Sequence, residues 1–241
     1  IHGVMNTDNT SLSGETIDYG PCAFMDSFHP EKVFSSIDHQ GRYAWGNQGS
    51  IALWNLSRFA ETLLPLLSDD PETALEQAKD TIGSFPDQFE EQYNLRFRAK
   101  LGLPENAPPE FIRETLDLLA KQAIDFTHFF RHLTQVAQGQ SAEPLQALFS
   151  DSEEFESWFS RWQKEASHPD QLDAMRSANP ILIPRNHRIE EAIQAAYRDD
   201  FAPFHRLADA LAHPFMENEQ YADLQAAPNP DEIVHQTFCG T

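Results

Sequence analysis

The stretch His2-Gly3-Val4-Met5-Asn6-Thr7-Asp8-Asn9, continued through Thr10-Ser11-Leu12-Ser13-Gly14-Glu15-Thr16-Ile17 to Asp18-Tyr19-Gly20-Pro21, decides the reading of this chain. It gathers oxygen-bearing side chains at short spacing, where no helix fits. Two short strands joined by the Ser13-Gly14-Glu15 turn would fold back and bring Asn9 beside Asp18. An amide oxygen and a carboxylate, completed by phosphate oxygens and water, are a usual way to hold Mg2+ in nucleotide-dependent phosphoryl chemistry. Asp8 then stands next to the metal, free to accept a proton. The logic is that of protein kinases, in which a catalytic-loop Asp is the base, a downstream Asn binds metal and the Asp of an Asp-Phe-Gly triplet binds the bridging metal. Asp18-Tyr19-Gly20 takes the place of that triplet.

Together with Asp38-His39-Gln40-Gly41-Arg42-Tyr43, Asn47-Gln48 and Leu53-Trp54-Asn55-Leu56, these residues resemble the SelO (YdiU) family of kinase-like protein adenylyltransferases. The similarity extends through Asn179-Pro180 and Arg185-Asn186 to Cys239-Gly240-Thr241, with its specific part in residues 1–56. What the resemblance implies is transfer of AMP from ATP to Ser, Thr or Tyr hydroxyls of protein substrates. It also implies Mg2+ or Mn2+ at Asn9 and Asp18, Asp18 engaging the bound nucleotide through that metal, and a base at Asp8. In the family a redox-active residue often stands third from the end, where Cys239 lies, and a bridge from it to Cys22 is left open. The spacing alone suits an ordinary kinase equally. A non-catalytic acidic helical module, with the Asp8-Asn9-Asp18 loop as a relic, is the third reading.

The fold expected is mainly α, a protein-kinase-like C-terminal lobe in which a catalytic loop and short β-hairpin are followed by a helical bundle. Residues 1–49 form the catalytic loop, metal-binding hairpin and activation-like segment, 50–212 the helical lobe, and 213–241 a C-terminal tail. In a kinase-like fold the Gly-rich loop, the phosphate-binding Lys and its Glu partner come before the catalytic loop. This chain starts just ahead of that loop, and its 10 glycines supply no later Gly-x-Gly-x-x-Gly. The N-terminal lobe is therefore expected to lie outside the chain and to be its partner, and the chain alone is expected to be inactive.

Charge narrows the partners. With 38 Asp and Glu against 17 Lys and Arg, the net charge is −21, which argues against a nucleic-acid backbone or an anionic membrane. No run of 18 apolar residues spans a bilayer. Only Cys22 and Cys239 are present, which suits a reducing compartment: the cytoplasm in a bacterium, or the mitochondrion in a eukaryote, as the resemblance implies.

After Pro21 the chain to about Gly49 has no sustained period and reads as a loop. Asp38 and Arg42 there either brace the loop through charge-assisted bonds or help hold substrate or nucleotide. From Ser50, taken as a cap, Leu53, Leu56, Ala60, Leu63, Leu64 and Leu67 recur at helical steps. Asp70-Pro71-Glu72 is a helix start, with a capping carboxylate before a first-turn proline. Phe89, Tyr93 and Phe97 share a face of the next helix. Gly102 to Pro109 is a linker; two helices then carry Ile112, Leu116 and Leu119, and Phe126, Phe129, Phe130 and Leu133, stopped by Gly139. Asp151 with Glu154 caps a helix bearing Phe155, Trp158, Phe159 and Trp162. Pro180 and Pro184 keep the following segment extended. Two more helices carry Ile189, Ala192 and Ile193, then Phe201, Phe204, Leu207 and Leu211, before the tail. Metal binding by His29 with His39, or by His128 with His132, is open by residue type but lacks further ligands. Arg185, at a helix start, either approaches phosphate or braces a loop.

Overall fold

The computed structural model describes residues 2–16, 18–166 and 168–238. Ten α-helices carry the fold among them, and the one β feature is an isolated antiparallel bridge between Ser27 and Asp125. The helices are α1 Gln48–Leu67, α2 Pro71–Gly83, α3 Phe85–Leu101, α4 Pro109–Lys121, α5 Phe126–Ala137, α6 Glu143–Gln146, α7 Ser152–Glu165, α8 His168–Ala178, α9 Asn186–Ala196 and α10 Ala202–Leu211. The chain divides into two compact units. The first comprises Ile1–Ala23, Pro30–Tyr93 and Gln236–Thr241, the second Phe24–His29 and Asn94–His235.

In the first unit, α1 begins at Gln48 rather than at Ser50 because the preceding turn is already pinned. Gln48 Nε2 donates to the carbonyls of Tyr43 (2.8 Å) and Ala44 (3.1 Å), and Asn47 Nδ2 donates to that of Gly41 (2.7 Å). Of the α1 positions, Ile51 and Asn55 are the buried ones, while Leu53, Ala60 and Leu64 are half-buried along a groove of about 390 Å³ completed by Leu75, Ala78 and Ile82 of α2. Asp70 caps α2 as its spacing demands, accepting from Thr73 N at 3.0 Å with Pro71 in the first turn. The tail returns to this unit: Ser36 N donates to Thr237 O (2.8 Å), Thr237 N to Ser36 Oγ (3.0 Å) and Thr237 Oγ1 to Phe34 O (2.7 Å).

The short β-hairpin expected over residues 8–18 does not form among the described residues. The first expected strand begins as a 3-10 turn instead, and the Ser13-Gly14-Glu15 segment closes on itself. Asn9 N donates to Asn6 O (3.1 Å), Gly14 N to Ser11 O (3.2 Å), Ser13 N to Ser11 Oγ (3.3 Å) and Glu15 N to Ser13 Oγ (3.3 Å). Ser side chains that turn the backbone this way compete directly with strand pairing.

The second unit is built on aromatic packing. Phe111, Phe129, Phe155 and Trp162 are almost wholly buried, and the indoles find partners as buried indoles must: Trp158 Nε1 donates to Thr115 Oγ1 (2.9 Å) and Trp162 Nε1 to Leu101 O (2.8 Å). Asp125 and Asp151 cap α5 and α7. Arg185 is 1% exposed and pairs with two carboxylates, Asp26 and Asp125, the latter at 2.7 Å, while its Nε donates to Gln225 O at 3.1 Å. Beside it, Asn186 accepts from Phe24 N (2.9 Å) and donates to Phe24 O (3.1 Å). Lys100 is held over the rings of Phe126 and Phe130, its Nζ donating to Ala178 O at 2.8 Å.

Removing Arg185 takes from Asp125 and Asp26, which are 11% and 25% exposed, the cation they share, so Arg185→Met is expected to lower the unfolding free energy by about 3–5 kcal/mol, read from denaturant midpoints. Burial pushes the Lys100 ammonium down to about 8 from 10.5. Between those two values the unfolded chain binds the extra proton, so stability from this group rises with pH, by at most about 3 kcal/mol. Urea titrations between pH 8 and 10 should show that rise in the native chain and its loss in Lys100→Met.

Candidate functional site

The loop that carries Asp8, Asn9 and Asp18 is made of turns held from α1. Thr7–Asn9 is a single 3-10 turn, closed by Thr10 N donating to Thr7 O at 3.4 Å. Asn55 projects from α1 beneath it, 4% exposed, and its Nδ2 donates to Met5 O (3.1 Å) and Thr10 Oγ1 (2.8 Å). From the other side the Tyr43 hydroxyl donates to Asn6 Oδ1. Two glycines are required by close approach. A Cβ at Gly3 (φ +79°) would meet Phe34 Cβ at 2.8 Å, and one at Gly20 (φ +54°) would meet His2 O at 2.4 Å.

What joins Asn9 to Asp18 is a run of hydrogen bonds through His2 and Val4. Asn9 Nδ2 donates to Val4 O at 2.9 Å, Val4 N donates to His2 Nδ1 at 3.3 Å, and His2 Nε2 meets Asp18 Oδ1 at 2.6 Å. Gly20 N donates to the same carboxylate oxygen at 2.7 Å. The backbone bond from Gly20 and then the His2 bond hold the Asp18 carboxyl below its ordinary value, so it is a carboxylate down to lower pH than a free Asp. Among the described residues, no donor is assigned to Asp18 Oδ2 or Asn9 Oδ1. One free carboxylate oxygen and one free amide oxygen are the donor types a hard divalent cation takes, so these residues fit such an ion. Asp8 is exposed within the 3-10 turn. Among the described residues no three His, Cys, Asp or Glu side chains gather into a metal cage.

The remaining sequence candidates are engaged elsewhere. Asp38 does brace its loop, but through backbone N–H groups of Arg42 and Tyr43, both at 2.8 Å, while the Arg42 guanidinium lies 4.8 Å from the Trp54 ring centre. Arg185 is the loop-bracing residue of the two readings offered for it, being spent on Asp26 and Asp125. His128 bonds Gln225 O (2.8 Å) and His132 bonds Gln135 Oε1 (2.9 Å). Cys22 is half-buried, its thiol pushed up by burial; Cys239 and Ile17 lie outside the described residues. The residue that sequence reasoning left without a role is His2. Its partner lies sixteen positions away, and the only signal was its place in the same polar stretch.

Comparison with known proteins bears on the whole loop. Residues 1–212 match the family model described as "Protein adenylyltransferase SelO". The chain is 50% identical over 249 residues to "Protein nucleotidyltransferase YdiU" of Rhodopseudomonas palustris (strain BisB18), and 51% identical over 245 residues to the protein of that name from Ruegeria sp. (strain TM1040). Both alignments cover 100% of this chain and 51% and 50% of the relatives. The chain thus spans about half the length of the curated relatives it matches.

Asn55 ties the loop to α1, so Asn55→Ala should free it locally. Hydrogen exchange at the Asn9 and Thr10 amides is expected to quicken about tenfold, matching the loss of about 1–2 kcal/mol of buried hydrogen bonding, while amides of α4 and α5 keep their protection.

Proposed function

The chain belongs to the SelO family, and from that membership we propose that the full-length protein containing it is a protein adenylyltransferase with a kinase-like catalytic lobe. The observation that carries this reading is the pairing of Asp18 and Asn9 in one hydrogen-bonded network, each with an oxygen left free, and Asp8 exposed on the same turn. Asn9 and Asp18 would hold Mg2+ or Mn2+ together with the phosphates of ATP. The chemistry such an ion supplies is neutralisation of phosphate charge.

Asp8 accepts the proton of a Ser, Thr or Tyr hydroxyl on the protein substrate as that oxygen attacks the α-phosphorus of ATP. A new P–O bond forms to the acceptor, the bond to the bridging oxygen of the β-phosphate breaks, and pyrophosphate leaves with the electron pair. Asn55 and Tyr43 keep the turn from collapsing away from that position. The N-terminal lobe of the same protein is the partner that would complete the nucleotide site.

The test uses the full-length protein with isotopically labelled ATP and a protein acceptor. Asp18→Ala is expected to abolish metal-dependent nucleotide binding and transfer. Asp8→Asn is expected to keep nucleotide binding and lower transfer by about 10²–10⁴-fold. Mass spectrometry of the acceptor should show the mass of AMP. The mass of a phosphate would instead establish a kinase, and an Asp18→Ala variant with native metal-dependent binding would leave the loop a relic.

A further inference from the structure

His2 has no role in the reaction written above, yet it is bonded to one of the two residues on which that reaction depends and is linked to the other through Val4. Val4 N–H points at Nδ1, so Nδ1 is the accepting nitrogen and Nε2 carries the proton given to Asp18. Neither ring nitrogen has a lone pair to spare. The His2 side chain is 17% exposed against 60% for Asp18, so a ligand reaches the carboxylate and the imidazole lies behind it. Val4, whose N–H meets His2, offers its carbonyl, on the next peptide group along the chain, to Asn9 Nδ2. Both candidate ligands are thereby oriented from the back: Asp18 gives Oδ1 to His2 and Gly20, and Asn9 gives its amide nitrogen to Val4.

We propose that His2 is a positioning residue that, through Asp18 directly and Asn9 by way of Val4, presents Asp18 Oδ2 and Asn9 Oδ1 to a divalent cation. The proposal rests on the metal-site reading given under Proposed function. Imidazoles and carboxylates in contact behind a metal commonly tune affinity by 10–100-fold without touching the ion. Gly20 is part of the device. A side chain there would collide with the His2 carbonyl at 2.4 Å and with its ring atoms at 3.0 Å, so residue 20 must be glycine for the imidazole to reach Asp18.

The experiment measures Mn2+ affinity of the full-length protein by electron paramagnetic resonance, with α,β-methylene ATP present. His2→Ala is expected to raise the Mn2+ dissociation constant 10–100-fold, with kcat largely recovered at saturating Mn2+ and nucleotide affinity without metal unchanged. His2→Gln, which keeps an N–H donor, should lie within a few fold of the native protein. Gly20→Ala should weaken Mn2+ as His2→Ala does. Nitrogen-15 spectra of the native protein should show His2 as the Nε2–H tautomer, altered in Asp18→Ala; an Nδ1–H tautomer overturns the proposal even if His2→Ala fails to fold. Native Mn2+ affinity in a folded His2→Ala protein, where Asp18→Ala has lost it, sinks the role of His2 and leaves the metal site standing. Native affinity in Asp18→Ala itself sinks both.

Discussion

A single guanidinium sets the arrangement of the larger compact unit. Arg185 joins three parts of the chain remote in sequence: Asp26, the α5 cap Asp125, and the backbone at Gln225. Taking these charges out of water costs several kcal/mol per ion, so the cluster is not a simple source of stability. Its effect is exclusion. Any packing that separates the three charges leaves at least one buried without a partner, and Asp125 cannot turn away to relieve it, because it also accepts the His128 amide at 2.8 Å. Asn186, next in the chain, takes both backbone polar groups of Phe24 and closes off sliding of residues 24–29.

The helices were legible wherever a cap and an apolar stripe agreed. Asp70 with Pro71, and Asp151 with Glu154, are local signals read over a few residues, and the stripes of α4, α5 and α7 are buried as their spacing requires; the Asp125 cap of α5 went unread. Other helices were not. α8 passed unread although Met175 is fully buried, its Sδ against Gly102, because the contact that stabilises it comes from a distant turn rather than from its own pattern. The stripe of α10 was half misleading: Leu207 is buried, but Phe201 and Phe204 are each more than half exposed. Periodicity says which residues share a face; it does not say whether anything covers that face.

At the site, the sequence marked Asp8, Asn9 and Asp18 by residue type but supplied the wrong device for linking the last two. A β-ladder needs an extended strand whose backbone donors can cross to its partner, and Thr7–Asn9 is wound into a 3-10 turn with the Asn9 amide spent on Asn6 O. The link runs instead through an imidazole and the two backbone groups of Val4, which residue spacing does not encode. The brace at Asp38 was readable as a brace, though not that its acceptors face N–H groups and leave Arg42 to stack on Trp54.

Thr237 is bonded at its amide, carbonyl and hydroxyl to residues 34–36, some two hundred positions earlier. A probe placed at Phe238 therefore reports on the loop that follows the Asp18 turn, although the two are far apart in the chain. Proteolysis that removes Thr237 would strip Phe34 and Ser36 of these bonds together, so a cut late in the sequence is also a change to that loop.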